Sequence, residues 1–290
     1  MVAPLRTYND IYLAAREKLR EAGIGAFSVE ARLIMAGATG RSGAELLSES
    51  RSYLTDNDVI RSIDEMIGRR LAGEPVAYIT GEWEFYGIPL NINNAVLIPR
   101  IDTEILAAEA IRIMKEPGGK AGLLDLCTGS GCVGLAVAAN VPGRRVVLAD
   151  NSERALAVCR GNIVRNRLTG NTQAIAADAL AAPHGFPGVF DAIVCNPPYI
   201  PTCEISALEA SVRDYEPFEA LDGGGDGLDF YRAVSSKWKS VLAEGGYLAF
   251  ECAAGRSKDV HGIMTDSGFT CIRALTDTLG FERVMVGRKQ

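Results

Sequence analysis

From residue 122 to residue 287 the chain repeats one pattern: a short apolar run, a stretch with helical spacing, then another apolar run. The runs, rich in Val, Ile, Leu and Ala, fall at 122–127, 145–150, 172–177, 190–195, 246–251, 269–275 and 282–287, and helical stretches fall near 132–140, 152–167, 228–242 and 256–266. Strands joined by helices pair in parallel, because each crossover returns the chain to the edge where it began, and such a sheet is covered on both faces. The pattern therefore predicts an α/β fold with ligands bound at the carboxyl ends of the strands, near the point where strand order reverses. The last two runs are too close for a crossover helix and are expected to form an antiparallel hairpin.

Upstream the text is helical. Tyr8, Ile11, Tyr12, Ala15, Leu19 and Ala22 share one face at three- and four-residue spacing, and Gly23 supplies a stop. Ser28 is expected to cap a second helix, and Thr55 with Asp58 to cap a third that ends before Gly73 and Pro75. Between 76 and 99, aromatic and β-branched residues broken by Gly81, Gly87 and Asn93-Asn94 suggest a β-hairpin linker. The expected organisation is a small helical domain at 1–75, the linker at 76–99, and an α/β domain at 100–290 opened by a helix capped at Asp102 or Thr103.

Composition narrows the function classes. With 48% hydrophobic and 23% charged residues in 290, the chain can bury a sizeable core, and disordered or fibrous classes are excluded. No apolar run approaches the roughly 18 residues of a membrane span, and MVAPLRTYND lacks the basic start and apolar centre of a secretory leader, so a cytoplasmic location is expected. The net charge of -6 argues against a broad nucleic-acid-binding face. Seven cysteines without a C-x-x-C pair read as reduced, and His184 and His261 stand far apart, so no metal site is expected.

Two motifs carry chemistry. In LLDLCTGSGCVGLAVA, Gly129, Gly131 and Gly134 follow a strand and open a helix, and Asp150 ends the next strand, where a carboxylate can accept hydrogen bonds from two ribose hydroxyls. This predicts a nucleoside ligand, of dinucleotide or S-adenosylmethionine (SAM) type. Asp125, four residues before Gly129, is expected at the ligand's mouth, where it suits an ammonium group and repels a pyrophosphate. Asp178, after the third strand, can accept from an adenine amino group or can simply be a solvated strand end.

The second motif is AIVCNPPYI, residues 192–200. Asn196 is held extended by the following proline, and Pro197 and Pro198 fix φ near -65° and lack an N–H. The Asn196 side-chain oxygen and the Pro197 carbonyl can accept both hydrogens of a substrate NH2, and Tyr199 offers a flat face for a planar amide or base. Methyl transfer to such a nitrogen depends chiefly on orientation.

These motifs, with RRLAGEPVAYITGEWEFYG, VLIPRIDTE, VRDYEPFEALDGGGDGLDFYRAV and LGFERVMVGR, resemble the HemK/PrmC family of protein-(glutamine-N5) methyltransferases that modify peptide-chain release factors. The resemblance implies a Rossmann-like, seven-stranded SAM-dependent methyltransferase sheet with a small N-terminal helical domain that contacts the release factor. It implies that SAM is held by Cys127, Thr128, Gly129, Ser130, Gly131, Asp150 and Asn151, its adenine bracketed by Asp178 and Ala179, with Arg100, Thr103 and Glu104 lying over it and Asp125 and Asn196 beside it. Asn196, Pro197, Pro198 and Tyr199 would bind the glutamine amide, with Asn196, Pro197 and Tyr199 as the catalytic set. The chain departs from the family pattern at Ile101 and Asp102, and at Ala253 and Arg256 after the fifth strand. Rival readings are an N6-adenine or N4-cytosine nucleic-acid methyltransferase, a nicotinamide-dependent oxidoreductase, and an inactive SAM-binding adaptor.

Overall fold

The structure, a computed structural model, describes residues 5–119, 121–186 and 188–290. Residues 1–4, part of the N-terminal stretch weighed above against a leader, lie outside it. The chain divides into two compact units, the first ending at Glu82 and the second starting at Trp83.

The first unit is helical. Strand β1 (Arg6–Thr7) pairs antiparallel with β2 (Tyr53–Leu54) and brackets α1 (Tyr8–Glu21), α2 (Phe27–Thr39) and α3 (Gly43–Ser48); α4 (Asn57–Leu71) and α5 (Val76–Thr80) follow. Ala15 and Leu19 of α1, Ala31, Ile34 and Met35 of α2, and Ile63 and Ile67 of α4 are buried where α1 packs on α2 and α4. The caps differ from expectation. Thr7 and Asp10 form a reciprocal capping box on α1, Asp56 rather than Thr55 caps α4 by accepting from Asp58 and Val59, and α2 begins before Ser28 with no side-chain cap. Residues 76–80, expected within a hairpin, are helical, because Pro75 starts the turn, Gly81 ends it in the left-handed region, and Val76, Ala77, Tyr78 and Ile79 are all buried. The hairpin itself is shorter: β3 (Glu82–Phe85) and β4 (Ile88–Asn91).

The second unit is the α/β domain. Its elements are α6 (Thr103–Met114), β5 (Leu123–Leu126), α7 (Cys132–Asn140), β6 (Val146–Asp150), α8 (Glu153–Arg165), β7 (Thr172–Ala176), β8 (Phe190–Cys195), α9 (Ala210–Arg213), α10 (Asp229–Lys237), β9 (Leu242–Glu251), α11 (Ser257–Asp266), β10 (Phe269–Thr276) and β11 (Glu282–Lys289). The sheet order is β10-β11-β9-β8-β5-β6-β7, with β9 through β7 parallel and β11 antiparallel to both neighbours. All seven apolar runs are strands of this sheet, and the last two form the expected hairpin. Strand order reverses between β5 and β8, the two central strands, so a crevice opens at their carboxyl ends. Among the described residues no helix is long and apolar enough to cross a membrane.

One loop braces the corner after β8. Ile200 donates to the Leu221 carbonyl at 3.1 Å and accepts from Gly223 at 2.9 Å, while Thr202 donates to Gly224 at 3.0 Å. Gly227 has φ +75° and a Cβ there would stand 2.4 Å from the Tyr199 carbonyl oxygen, so only glycine fits. Gly227→Ala should therefore destabilise the fold by roughly 2–3 kcal/mol in urea unfolding, whereas Gly225→Ala, with no atom within 4 Å of its added carbon, should change stability by less than about 0.5 kcal/mol. Equal effects at the two positions would show that the loop does not brace the corner.

Candidate active site

The chain leaves β5 through Cys127 at φ +56°, an unfavourable conformation for a non-glycine residue, held by the Thr128 N–H on the Ala149 carbonyl at 3.1 Å. Residues 128–131 then turn into α7, with the Gly131 N–H on the Thr128 carbonyl at 2.8 Å. Asp150, at the end of β6, ties this loop to its own: Oδ2 accepts from the Gly129 N–H at 2.8 Å and Oδ1 from the Ser152 N–H at 3.0 Å. Each carboxylate oxygen keeps acceptor capacity for a ligand hydroxyl.

A pocket opens over these loops. Of the residues singled out above, Thr103, Asp125, Cys127, Thr128, Gly129, Ser130, Asp150, Asn151, Ala179, Asn196 and Pro198 line it. The others are not among its lining residues. Gly131 caps α7, and Pro197 is buried within the corner. Tyr199 packs against the core with its phenol pushed up to about 12 by burial, so it stays neutral. Arg100 is ion-paired with the buried Glu216, whose other oxygen accepts from the Ile98 N–H at 3.3 Å, which clamps the segment before α6 onto the Tyr215-Glu216-Pro217 segment. Glu104 accepts from the Tyr86 N–H at 3.0 Å. Asp178 is exposed, its Oδ1 taken by the Leu180 N–H at 2.8 Å in a local turn.

Asp125 departs from expectation in depth. It lies buried in the pocket floor, not at its mouth, with Oδ2 accepting from the Thr128 hydroxyl at 2.7 Å and the Gly134 N–H at 2.9 Å. Burial raises its pKa to about 7 against the pull of those two donors, and the charge of Asp150 raises it further. Asp150 is likewise raised, first by burial.

Three lining residues are carboxylates, Asp125, Asp150 and Glu219, and no described lining residue is Lys or Arg. A ligand carrying a pyrophosphate would meet these charges unpaired, whereas a cationic ligand would neutralise them. At Gly129 an added Cβ would meet nothing within 4 Å, so the loop leaves open space above its backbone. The residues present fit SAM, with its sulfonium and ammonium groups, and do not fit a dinucleotide.

At the far wall, Asn196 Nδ2 donates to Thr103 Oγ1 at 3.3 Å. Beside them lies Glu251, 3% exposed, which sequence reasoning missed. Burial raises it to about 7, and the neighbouring Thr103 and Asn196 side chains pull the other way. The available signal was its position at the end of the apolar run YLAF in a central strand, where a glutamate has little access to water. Glu219, Phe230 and residues 95–97 also line the pocket without having been singled out, although all but Ala95 fall in the segments VLIPRIDTE and VRDYEPFEALDGGGDGLDFYRAV quoted above. Arg256, which departs from the family pattern, is no lining residue: its Nη2 donates to the Asp226 carbonyl at 2.8 Å and its Nε faces Asp259.

Comparison with known proteins agrees with this geometry. Residues 103–211 match the model of the methyltransferase small domain, and residues 10–81 that of the PrmC N-terminal domain. A methyltransferase from Pyrococcus furiosus shares the fold, with a TM-score of 0.50 at 15% identity over 78% of this chain and 98% of that one. The class is thus that of the α/β methyltransferases. The chain is 37% identical to a release factor glutamine methyltransferase of Bradyrhizobium diazoefficiens over 96% of its own length and 92% of the relative's. It is 36% identical to one of Geobacter sulfurreducens over 94% and 93%. The chain belongs to the release factor glutamine methyltransferase family.

The raised Asp125 makes a pH-dependent prediction. An acid whose pKa is higher in the folded than in the unfolded state penalises folding increasingly as pH rises from about 4 to about 7. Both donors to Asp125 use one oxygen, so Asn can keep both bonds. Asp125→Asn should stabilise the ligand-free protein by roughly 1–3 kcal/mol at about pH 8, with the gain shrinking toward about pH 5. Chemical denaturation at the two pH values checks it, and a loss of stability at both would contradict it.

Proposed function

We propose that this chain transfers a methyl group from SAM to the side-chain amide nitrogen of a glutamine in a peptide-chain release factor. The observation that carries the reading is an acid-lined pocket, with no Lys or Arg among its described lining residues, meeting a donor-poor Asn-Pro-Pro-Tyr corner at one end of the sheet, in a chain whose relatives bear the release factor glutamine methyltransferase name. When bound, SAM supplies an electrophilic methyl carbon on a positively charged sulfur.

The chain's own residues divide the work. Asp150 offers its remaining acceptor sites to the ribose hydroxyls, and the floor carboxylate of Asp125 faces the ammonium group. Cys127, Thr128, Gly129, Ser130 and Asn151 shape the bed, and Ala179 flanks the adenine. On the substrate side, Asn196 Oδ1 and the Pro197 carbonyl accept the two amide hydrogens and aim the nitrogen lone pair. Two acceptors and no donor at that point favour charge building on nitrogen as the bond to methyl forms. Pro198 and Tyr199 hold the amide plane, and the neutral phenol adds no competing charge. The N-terminal helical unit, matching the PrmC N-terminal domain, serves in this reading to hold the release factor. The reaction is placed in the cytoplasm, where release factors work.

Incubation with isotopically labelled SAM and a release factor, followed by peptide mass spectrometry, tests the assignment; a label on any atom other than a glutamine amide nitrogen would overturn it. Asp150→Ala should weaken SAM binding by roughly 1.5–3 kcal/mol in calorimetry. Asn196→Ala should lower kcat about 100-fold while SAM affinity stays within about threefold. SAM affinity should also fall as pH drops below about 7, because protonated Asp125 no longer attracts the ammonium group.

A further inference from the structure

We infer that Glu251 is a positioning residue for this reaction: with Thr103, its buried carboxylate holds the Asn196 amide nitrogen inward, so that Oδ1 faces the substrate. The inference rests on the function proposed above and names what gives the corner its polarity.

An asparagine amide is nearly symmetric in shape but opposite in chemistry at its two ends, and a flipped Asn196 would present an NH2 to the NH2 it must bind. Something must choose the end. Strands β8 and β9 pair in parallel with Cys195 opposite Phe250, so the next residues, Asn196 and Glu251, emerge side by side. Thr103, at the start of α6, is 1% exposed and closes the third side. Its Oγ1 accepts from Asn196 Nδ2 at 3.3 Å, and both side chains stand near enough to the carboxylate to pull its pKa down against burial. A hydroxyl alone could turn to donate or accept and would select neither orientation. An ionised carboxylate only accepts, so it selects the one in which Nδ2 points inward.

Among the described residues no cation is supplied to Glu251 alone. The groups acting on it are Asp102, Arg283, Tyr199, Tyr231, Cys132 and Cys252. Arg283 is shared with Asp102 at 3.1 Å and Asp277 at 2.9 Å, and burial keeps both phenols and both thiols neutral. Tyr231 donates its hydroxyl to the Glu251 main-chain carbonyl at 2.9 Å, which leaves the side chain untouched. Glu251 Oε2 is buried and has no hydrogen-bond partner among the described residues. A buried carboxylate kept in this state costs stability, and a merely structural site would be better filled by a neutral residue. Since burial brings its titration to about 7, the amide should be fully aligned above that pH and released below it.

The test begins with the ligand-free full-length protein labelled with 15N in its asparagine side chains, the Asn196 signal being assigned by its loss in Asn196→Ala. The Asn196 NH2 resonances should titrate near pH 7 in the wild type and be flat in Glu251→Gln. Thr103→Val, which removes the neighbouring hydroxyl that lowers the Glu251 pKa, should move the wild-type midpoint upward. At saturating SAM, with a release factor as substrate, Glu251→Gln should lower kcat about 30-fold and abolish its rise with pH, leaving SAM affinity within about twofold. Glu251→Asp should restore the pH-dependent limb. Asn196 resonances that titrate alike in wild type and Glu251→Gln, or kcat retained in that variant, would overturn the inference. Absence of methylation by the wild type would instead defeat the substrate assignment, while the resonance titration would still decide the role of Glu251.

Discussion

Strands β5 and β8 lie next to each other, with Leu126 opposite Cys195, and both of the chain's chemical motifs begin one residue beyond that pair. The glycine loop starts at Cys127 and the Asn-Pro-Pro corner at Asn196, although they stand about 70 positions apart in sequence. Nothing in either motif brings them together; the parallel pairing does. Because β6 and β7 continue on one side and β9 on the other, the two loops diverge and leave the space between them open. The cofactor pocket and the substrate corner are therefore two halves of one crevice, and a shift of register between β5 and β8 would separate them by a full residue while also turning their side chains to the opposite face.

Acidic groups without basic partners are the electrostatic theme of that crevice. Asp125 and Glu251 are both held to about 7 by burial, and Asp150 is raised as well. Elsewhere in the same chain buried acids are paired: Glu216 with Arg100, Glu109 with Arg112 and Arg273. The contrast separates acids that hold the fold from acids that await something. An unpaired buried carboxylate lowers the stability of the empty protein, and a cationic ligand or an oriented amide returns part of that energy on binding.

Much of the fold was legible because the central strands are buried on both faces and so read as unbroken apolar runs, and because helices interleave them. The glycine loop and the corner were legible for a related reason: their residue types are required by backbone geometry, whatever the tertiary setting. What depended on contacts between distant segments was not. Asp102 looked like a helix cap but pairs with Arg283, and Arg100, expected over the cofactor, is ion-paired with Glu216. Residues 76–80 look β-like by composition, yet full burial between Pro75 and Gly81 makes them helical, a tertiary preference overriding a weak local one. Glu251 was passed over because a charged residue ending a strand is ordinarily solvated, and only the packing of α6 and β8 around it removes the water.

The departure at Arg256 falls outside the lining of the pocket. In sequence it stands just beyond the fifth parallel strand, where a change of side chain would be expected to alter the wall of the site. In the fold its guanidinium reaches away, to the carbonyl of Asp226 and the carboxylate of Asp259. Asp226 belongs to the loop whose neighbouring Gly227 packs against the Tyr199 carbonyl, and its carboxylate is held by Arg232 of α10. Arg256 thus adds a second cationic tether to the segment that braces the corner from outside. That segment packs on the corner at residues 196–199, where precision of orientation matters more to methyl transfer than any further charge in the pocket.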